Sequence, residues 1–446
     1  MWLTENAKEI LCQESLPRDI ERVCTTDAKE IMERGAQSQL INDPHVKRVW
    51  DLIKGDSLFK MSVDDLSSLR QSLRRESLQY FARHTPYYAE LFERLDIDPA
   101  KATLHDVAKL AIPSDMLRGE GQKKFLIKDL EEGGETFSSS GTTGKDPVRV
   151  YRSPIDLAIM LKANTDLFEY VYGDLLKDGE GVALFMAAPE LRYKLSFVAF
   201  VHLTLEKKGI ELLYGMDLEN KDQAGTPWQK LVPNKENLLK FLKSKKEPKL
   251  FFTAPAGVHL MCQKFDEMGY GKKLAYKMAS GAPPVRLGKG GVIVTGGGSK
   301  GFADLPEYPR LVSNAQKHFI AQNRNGGEGS TPFMDVLGMT ETLTALIDRH
   351  GVMDKMPHPL SEAFILDPLT FEPLEGEGKE GVLGIFNPFT TSWLEVFYPG
   401  DIMSWHSSER YYGKEFVYKR RLSVKEGWDL QRACGGTLEE MMTKGQ

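Results

Sequence analysis

Ser138-Ser139-Ser140-Gly141-Thr142-Thr143-Gly144-Lys145 runs three consecutive hydroxyls into a Gly-Thr-Thr-Gly loop with a lysine at its exit. Glycines let backbone N–H groups turn toward a bound anion. Hydroxyls add donors and the lysine adds a mobile positive charge. The stretch is therefore a phosphate grip, and a nucleoside triphosphate is the ligand it suits. The alternative is a serine- and glycine-rich surface loop.

Two familiar phosphate loops do not fit. A Walker loop needs glycine five residues before its Gly-Lys pair and Ser or Thr after the lysine. Here Ser139 and Asp146 hold those places. Walker and dinucleotide loops also lead from a strand into a helix. This loop leads into Val148-Arg149-Val150-Tyr151, which alternates like a strand, and the next helix starts only at Ser153-Pro154.

Three further clusters carry chemistry. Thr295-Gly296-Gly297-Gly298-Ser299-Lys300-Gly301 follows an apolar strand, and its bare backbone could lie against a planar base. Gly296, Gly298 and Gly301 also satisfy the dinucleotide fingerprint, but Phe302 to Pro309 is a poor helix start. In Asp335-Val336-Leu337-Gly338-Met339-Thr340-Glu341-Thr342 a strand ends in a polar corner. Thr340 can donate to a phosphate, and Glu341 can hold Mg2+, which binds through a carboxylate plus substrate phosphates. The competing account is a helix start, with Thr340 as cap and Glu341 in the first turn. In Tyr398-Pro399-Gly400-Asp401, the Asp can accept bonds from two ribose hydroxyls or simply hold the turn.

The elements that must position these clusters follow from patterning. Residues 1–120 read as a helical N-terminal region. There Ser62 caps a helix with Asp64 and Asp65 in its first turn, and Leu66, Leu69, Leu73, Leu78 and Phe81 share one face. Residues 121–375 read as an α/β nucleotide-binding core. Its expected strands are Val182–Met186, Glu211–Tyr214, Leu250–Thr253, Val292–Thr295 and Phe333–Leu337, with helices over Leu195–Lys207 and Lys235–Lys245. Such alternation predicts mostly parallel sheets covered by helices, with ligands beyond the carboxyl ends of the strands. Residues 376–446 read as a strand-rich, truncated C-terminal part with a short tail.

Composition narrows the class. The 446 residues carry 41% hydrophobic side chains, enough for a large core, and a net charge of −5, which gives no nucleic-acid footprint. The lysines between Lys240 and Lys249 read as a solvated helix end. Cys12, Cys24, Cys262 and Cys434 form no Cys-x-x-Cys pair, so no metal site is signalled by cysteine, and a cytoplasmic location is expected. No apolar run approaches membrane-spanning length.

Ser-Gly-Thr-Thr-Gly at 140–144, Gly-Met-Thr-Glu at 338–341 and Gly-Asp at 400–401, in this order, resemble the adenylate-forming superfamily. That group includes acyl- and aryl-CoA ligases and peptide-synthetase adenylation domains. The resemblance implies ATP-driven activation of a carboxylic acid, fatty or aryl, to an acyl-AMP with Mg2+. It implies that Ser139, Ser140, Gly141, Thr142, Thr143, Gly144 and Lys145 hold the phosphates. Gly297 and Gly298 would lie beside adenine, Thr340 would touch the phosphates, Glu341 would hold Mg2+, and Asp401 would bind ribose. Arg421 is a further candidate for the ribose or phosphates, or an ordinary surface arginine. Where the family often has an aromatic residue before Gly-x-Thr-Glu, this chain has Leu337; where many relatives carry a lysine after the loop proline, it has Val148.

One branch looks closer. The acyl-protein synthetases of bacterial bioluminescence fatty-acid reductase (LuxE-type) have a Gly-Gly-Gly-x-Lys stretch, a Gly-Lys-x-Phe segment and an Arg-Gly-Cys-Gly-like end. Gly296 to Lys300, Gly413 to Phe416 and Arg432-Ala433-Cys434-Gly435 are similar to these. The resemblance covers residues 60 to 436. It implies that Cys434 captures the acyl group as a thioester and passes it to a partner such as a reductase or carrier protein. An aryl or acyl ligase passing the acyl group to CoA, a carrier protein or an amine is the alternative. An NAD-type oxidoreductase and a non-catalytic nucleotide-binding protein stay open as different classes.

Overall fold

The computed structural model describes residues 28–138, 147–172, 179–193, 195–219, 230–269, 271, 273, 284–296, 305–322, 330–348, 354–370, 372–410 and 412–422. Helices come first: α1 (Ala28–Ala36), α2 (Pro44–Lys54), α3 (Val63–His84), α4 (Pro86–Arg94) and α5 (Leu104–Lys109). Local chemistry sets their ends. Asp43, Ser62 and Thr103 each accept a backbone N–H of the first turn from the cap position. Helix α3 stops at Thr85 because a residue before proline is pushed to extended geometry, and Thr85 has φ −128° and ψ 110°. Leu66, Leu73, Leu78 and Phe81 are wholly buried, with Leu69 packed beside them. The same buried side of α3 carries Arg74, whose guanidinium grips Glu362 through two hydrogen bonds of 2.8 and 2.5 Å.

Short strand β1 (Ile112–Pro113) precedes the antiparallel hairpin β2 (Glu135–Ser138) and β3 (Arg149–Arg152). Helix α6 (Pro154–Tyr172) follows, with Ser153 Oγ accepting the Asp156 N–H at 3.2 Å as its cap. It is buried almost all round, the pattern of a helix in the middle of a core.

Next come β4 (Val182–Phe185), α7 (Ser196–Lys207) and β5 (Glu211–Tyr214), then the hairpin β6 (Met216–Glu219) and β7 (Lys230–Pro233). Helix α8 (Lys235–Lys243), β8 (Lys249–Thr253), α9 (Pro255–Glu267), β9 (Val285–Lys289) and β10 (Val292–Gly296) continue the alternation. Helix α10 (Tyr308–His318), β11 (Phe319–Gln322) and β12 (Phe333–Leu337) complete it. Strands β12-β10-β8-β4-β5 pair in this order, all parallel. All five strands expected from the sequence are here. Every position of β4, β8, β10 and β12 is buried, as parallel strands covered on both faces must be. Lys249 departs from the expected solvated cluster. It is buried, donates to the Leu242 carbonyl at 3.0 Å and lies over the Phe241 ring.

The sheet continues antiparallel through β13 (Leu346–Asp348), β14 (Asp354–Met356), β15 (Glu362–Leu366), β16 (Gly381–Asn387), β17 (Glu395–Tyr398), β18 (Asp401–Ser407) and β19 (Lys414–Arg421). Its order is β1-β17-β16-β18-β19-β14-β13-β12-β10-β8-β4-β5, with β15 beside β16. One α/β sheet thus joins a parallel block to an antiparallel half at β12. No described helix is long and apolar enough to cross a membrane.

Candidate active site

The segment Gly338–Ala345 is a turn, not a helix. It returns β12 to β13, with Leu337 opposite Leu346 and Val336 opposite Ile347. The helix-start account of Thr340 and Glu341 is therefore out. Both residues are buried, Glu341 completely.

Irregular backbone in a protein interior needs partners for its polar groups. Asn164 of α6 serves two of them, donating to the Leu343 carbonyl and accepting from the Ala345 N–H, each at 2.9 Å. Glu395 of β17 accepts the Leu343 N–H at 2.8 Å. Asn387 of β16 donates to Thr342 Oγ1 at 3.1 Å, and Thr342 Oγ1 donates to the Thr344 carbonyl at 2.7 Å. Arg152 of β3 donates to the Glu341 carbonyl at 2.7 Å. Side chains from a helix and three strands thus fix the path of the turn.

Arg152 has a second bond, 2.8 Å to Glu395 Oε2, and their side chains are 1% and 0% exposed. Burial pushes the Glu395 carboxyl upward, and the Arg152 guanidinium opposes it. This pair ties the turn to the β2–β3 hairpin. Ser138 faces Arg149 in that hairpin. Ser139, Ser140, Gly141, Thr142, Thr143, Gly144 and Lys145 themselves lie outside the described residues.

Strand β17 carries Glu395 at its start and runs about 10 Å, at the rise of a β-strand, to Tyr398. Pro399 and Gly400 then turn the chain. Gly400 has φ +85°, where a side chain would be strained, and its carbonyl accepts the Leu422 N–H at 2.9 Å. Asp401, wholly buried, opens β18 opposite Arg421. The Arg421 side chain and Cys434 lie outside the described residues, as do Gly297 and Gly298.

Gly296 closes β10. A Cβ there would meet Phe197 Cζ of α7 at 2.4 Å, and a Cβ on Gly338 would sit 3.5 Å from Phe197 Cδ2. One aromatic ring thus covers the carboxyl ends of both β10 and β12. The sequence put Leu337 where an aromatic residue was expected; Phe197 brings a ring to the same corner from another element. Beneath it, Asp335 accepts from Thr295 Oγ1 at 2.8 Å and pairs with Lys355 of β14 at 2.5 Å.

Of the residues singled out by patterning, Thr340, Glu341 and Asp401 lie buried among the described residues. Patterning did not mark Arg152, Asn164, Phe197, Asn387 or Glu395, which contact the turn or cover the strand ends. For Arg152 a signal existed: strand alternation puts it on the same side as the apolar Val150, hence inward.

No family profile matches the sequence, and no curated protein matches it. Solved structures do share its fold. The 2-hydroxyisobutyryl-CoA ligase in complex with 2-HIB-AMP and CoA, in the thioesterification state, superposes with a TM-score of 0.55 at 15% identity, covering 85% of this chain and 70% of that one. An open conformation of that ligase with the same two ligands gives 0.52 at 16% identity, over 79% and 67%. Its postadenylation state with 2-HIB-AMP gives 0.54 at 14% identity, over 79% and 67%. The chain has the fold of these acid–CoA ligases.

Proposed function

We propose that this chain is an ATP-dependent acid ligase of the adenylate-forming kind. A carboxylate oxygen of the acid attacks the α-phosphorus of ATP. The bond from that phosphorus to the bridging oxygen breaks, and pyrophosphate leaves. A thiolate then attacks the acyl carbon of the acyl-AMP, and AMP leaves as the thioester forms. The observation that carries this reading is the pair of bonds from Arg152, to the Glu341 carbonyl and to Glu395. They link β3, the strand that follows the glycine-rich stretch in sequence, to the Thr340–Glu341 turn, 189 residues further along the chain.

The roles follow from chemistry. Ser139 to Lys145 would grip the phosphates, with Thr340 as a further donor. Gly297 and Gly298 would lie against adenine, with Asp401, and Arg421 as a further candidate, on the ribose or phosphates. Glu341, buried in the turn, would be the protein's carboxylate ligand to Mg2+, an ion that binds through a carboxylate plus substrate phosphates. Bound there with the phosphates, Mg2+ would supply charge neutralisation. The protein itself contributes position and fixed dipoles.

CoA is the acceptor favoured by the shared fold, since the ligase of that fold is held with CoA. Capture by Cys434, with onward transfer to a reductase or carrier protein, is the finer reading that the Arg432–Gly435 end supports. Acid-dependent ATP–pyrophosphate exchange, screened over a panel of carboxylic acids, tests the activity. Glu341→Ala should lower exchange by about 100-fold or more; wild-type exchange in that variant would remove Glu341 from the mechanism. Labelled acid plus ATP, with and without added CoA, tests the acceptor. A hydroxylamine-sensitive protein label that disappears in Cys434→Ser assigns capture to Cys434. No such label, with labelled acyl-CoA formed instead, assigns it to CoA.

A further inference from the structure

On the antiparallel half, away from the turn that holds Glu341, three metal-ligating side chains converge from three strands. His406 of β18 stands directly opposite Glu415 of β19. Asp354 of β14 stands opposite Val417 of β19. Side chains two apart on a strand share a face, so Val417 and Glu415 point the same way. His406, Glu415 and Asp354 therefore all project from one face of the sheet. Lys355, Phe416 and Trp405, in the intervening register, take the other. One ligand atom from each of the three lies within 4.8 Å of the others.

These side chains also form ion pairs, His406 with Asp354 and Arg410 with Glu415, and the spacing of the first equally suits a shared cation. His406 Nε2 lies 3.4 Å from Asp354 Oδ2. That is longer than a good N–H···O bond, about 2.7–3.2 Å. It matches the spacing of two ligands on a tetrahedral ion with bonds of 2.0–2.1 Å, about 3.4 Å. The other ring nitrogen is engaged: His406 Nδ1 lies 3.1 Å from the Ser407 carbonyl. A histidine anchored through Nδ1–H presents the Nε2 lone pair outward, the arrangement usual for metal-bound imidazole. Glu415 is also anchored. Ser408 Oγ donates to its Oε1 at 3.1 Å, and Arg410 Nε lies 3.3 Å from the same oxygen. Glu415 is buried, while the His406 side chain is 41% exposed. That open side leaves room for water as a fourth ligand.

We propose that Asp354, His406 and Glu415 bind one zinc ion, which clips the β18–β19 hairpin to β14. The mixed imidazole and carboxylate set selects Zn2+ over Mg2+, which prefers all-oxygen ligands. The site is independent of the nucleotide chemistry, and its test does not use activity.

The experiment titrates chelator-treated full-length protein with Zn2+ by calorimetry. One site should weaken by at least about tenfold, or vanish, in His406→Gln and in Asp354→Asn, and persist in Cys434→Ser. Zn2+ should raise the melting temperature of the wild type and not of His406→Gln. X-ray absorption at the zinc edge of the wild type, which needs no variant, should show nitrogen and oxygen neighbours only. Equal zinc binding by wild type and both variants, or sulfur neighbours at the single occupied site, would overturn the proposal.

Discussion

Strands β4, β8 and β10 of the parallel block are apolar except near their ends, whereas the antiparallel half buries Lys355, Glu362, Asn387, Glu395, Asp401 and Glu415. The boundary strand β12 already shows the change: its Asp335 reaches across to Lys355 of β14. The parallel block is placed by area removed from water, a force without direction. The antiparallel half is placed by paired charges that are satisfied in one arrangement only. The turn with Thr340 and Glu341 lies on the border. It takes its position from the apolar block and its orientation from the charged one.

The largest stability effect should come from the charged side. Arg152→Met leaves Glu395 buried without its cation and should cost about 3–5 kcal/mol in denaturant unfolding. Replacing both partners, as Arg152→Met with Glu395→Leu, should restore most of that stability. Exchange activity should stay low in the double variant, because the Glu341 carbonyl and the Leu343 N–H have lost their partners. Recovery of exchange along with stability would show that the pair positions nothing. The apolar side should be more forgiving. Ile293→Val in β10 should cost about 1 kcal/mol and leave exchange unchanged; a loss of exchange there would blur the contrast.

A further effect is one of pH, and it spans both regions. Burial, helped by Arg192, lowers His202 of α7 to about 4, and burial with Lys162 nearby lowers His358 to about 3. An unfolded histidine titrates near 6.5, at about the ordinary value. Between those values the unfolded chain binds protons that the folded chain refuses. Stability is therefore complete above about 6.5 and is lost as the pH falls toward 4 and 3. His202→Gln should flatten part of that slope, measured as urea midpoints at pH 7 and pH 5. An unchanged slope would mean that His202 is not buried neutral.

The same contrast explains what the sequence made legible. The five parallel strands stand out because runs such as Val182-Ala183-Leu184-Phe185 and Val292-Ile293-Val294 are apolar on both faces. Strands β14, β15 and β19 do not, because Lys355, Glu362 and Glu415 interrupt the alternation with charges whose partners lie elsewhere. Thr340, Glu341 and Asp401 were visible because each sits in a compact motif. Arg152 and Glu395 were not, because 243 residues separate them and nothing local marks either as half of a pair. Nothing local marks Asn164 either, since the turn it clamps lies 179 residues further along the chain.

Helix α1 falls before the stretch over which the sequence resembles adenylate-forming enzymes, yet one face of it, with Ala28, Ile31 and Gly35, is buried. A Cβ on Gly35 would lie 2.2 Å from the Cβ of Ala158, so the backbones of α1 and α6 touch with no side chain between them. A version of the protein trimmed back to the recognisable region would peel α1 off α6 and expose a greasy furrow along its central helix. The practical starting point for any recombinant fragment is set by that glycine, upstream of every motif.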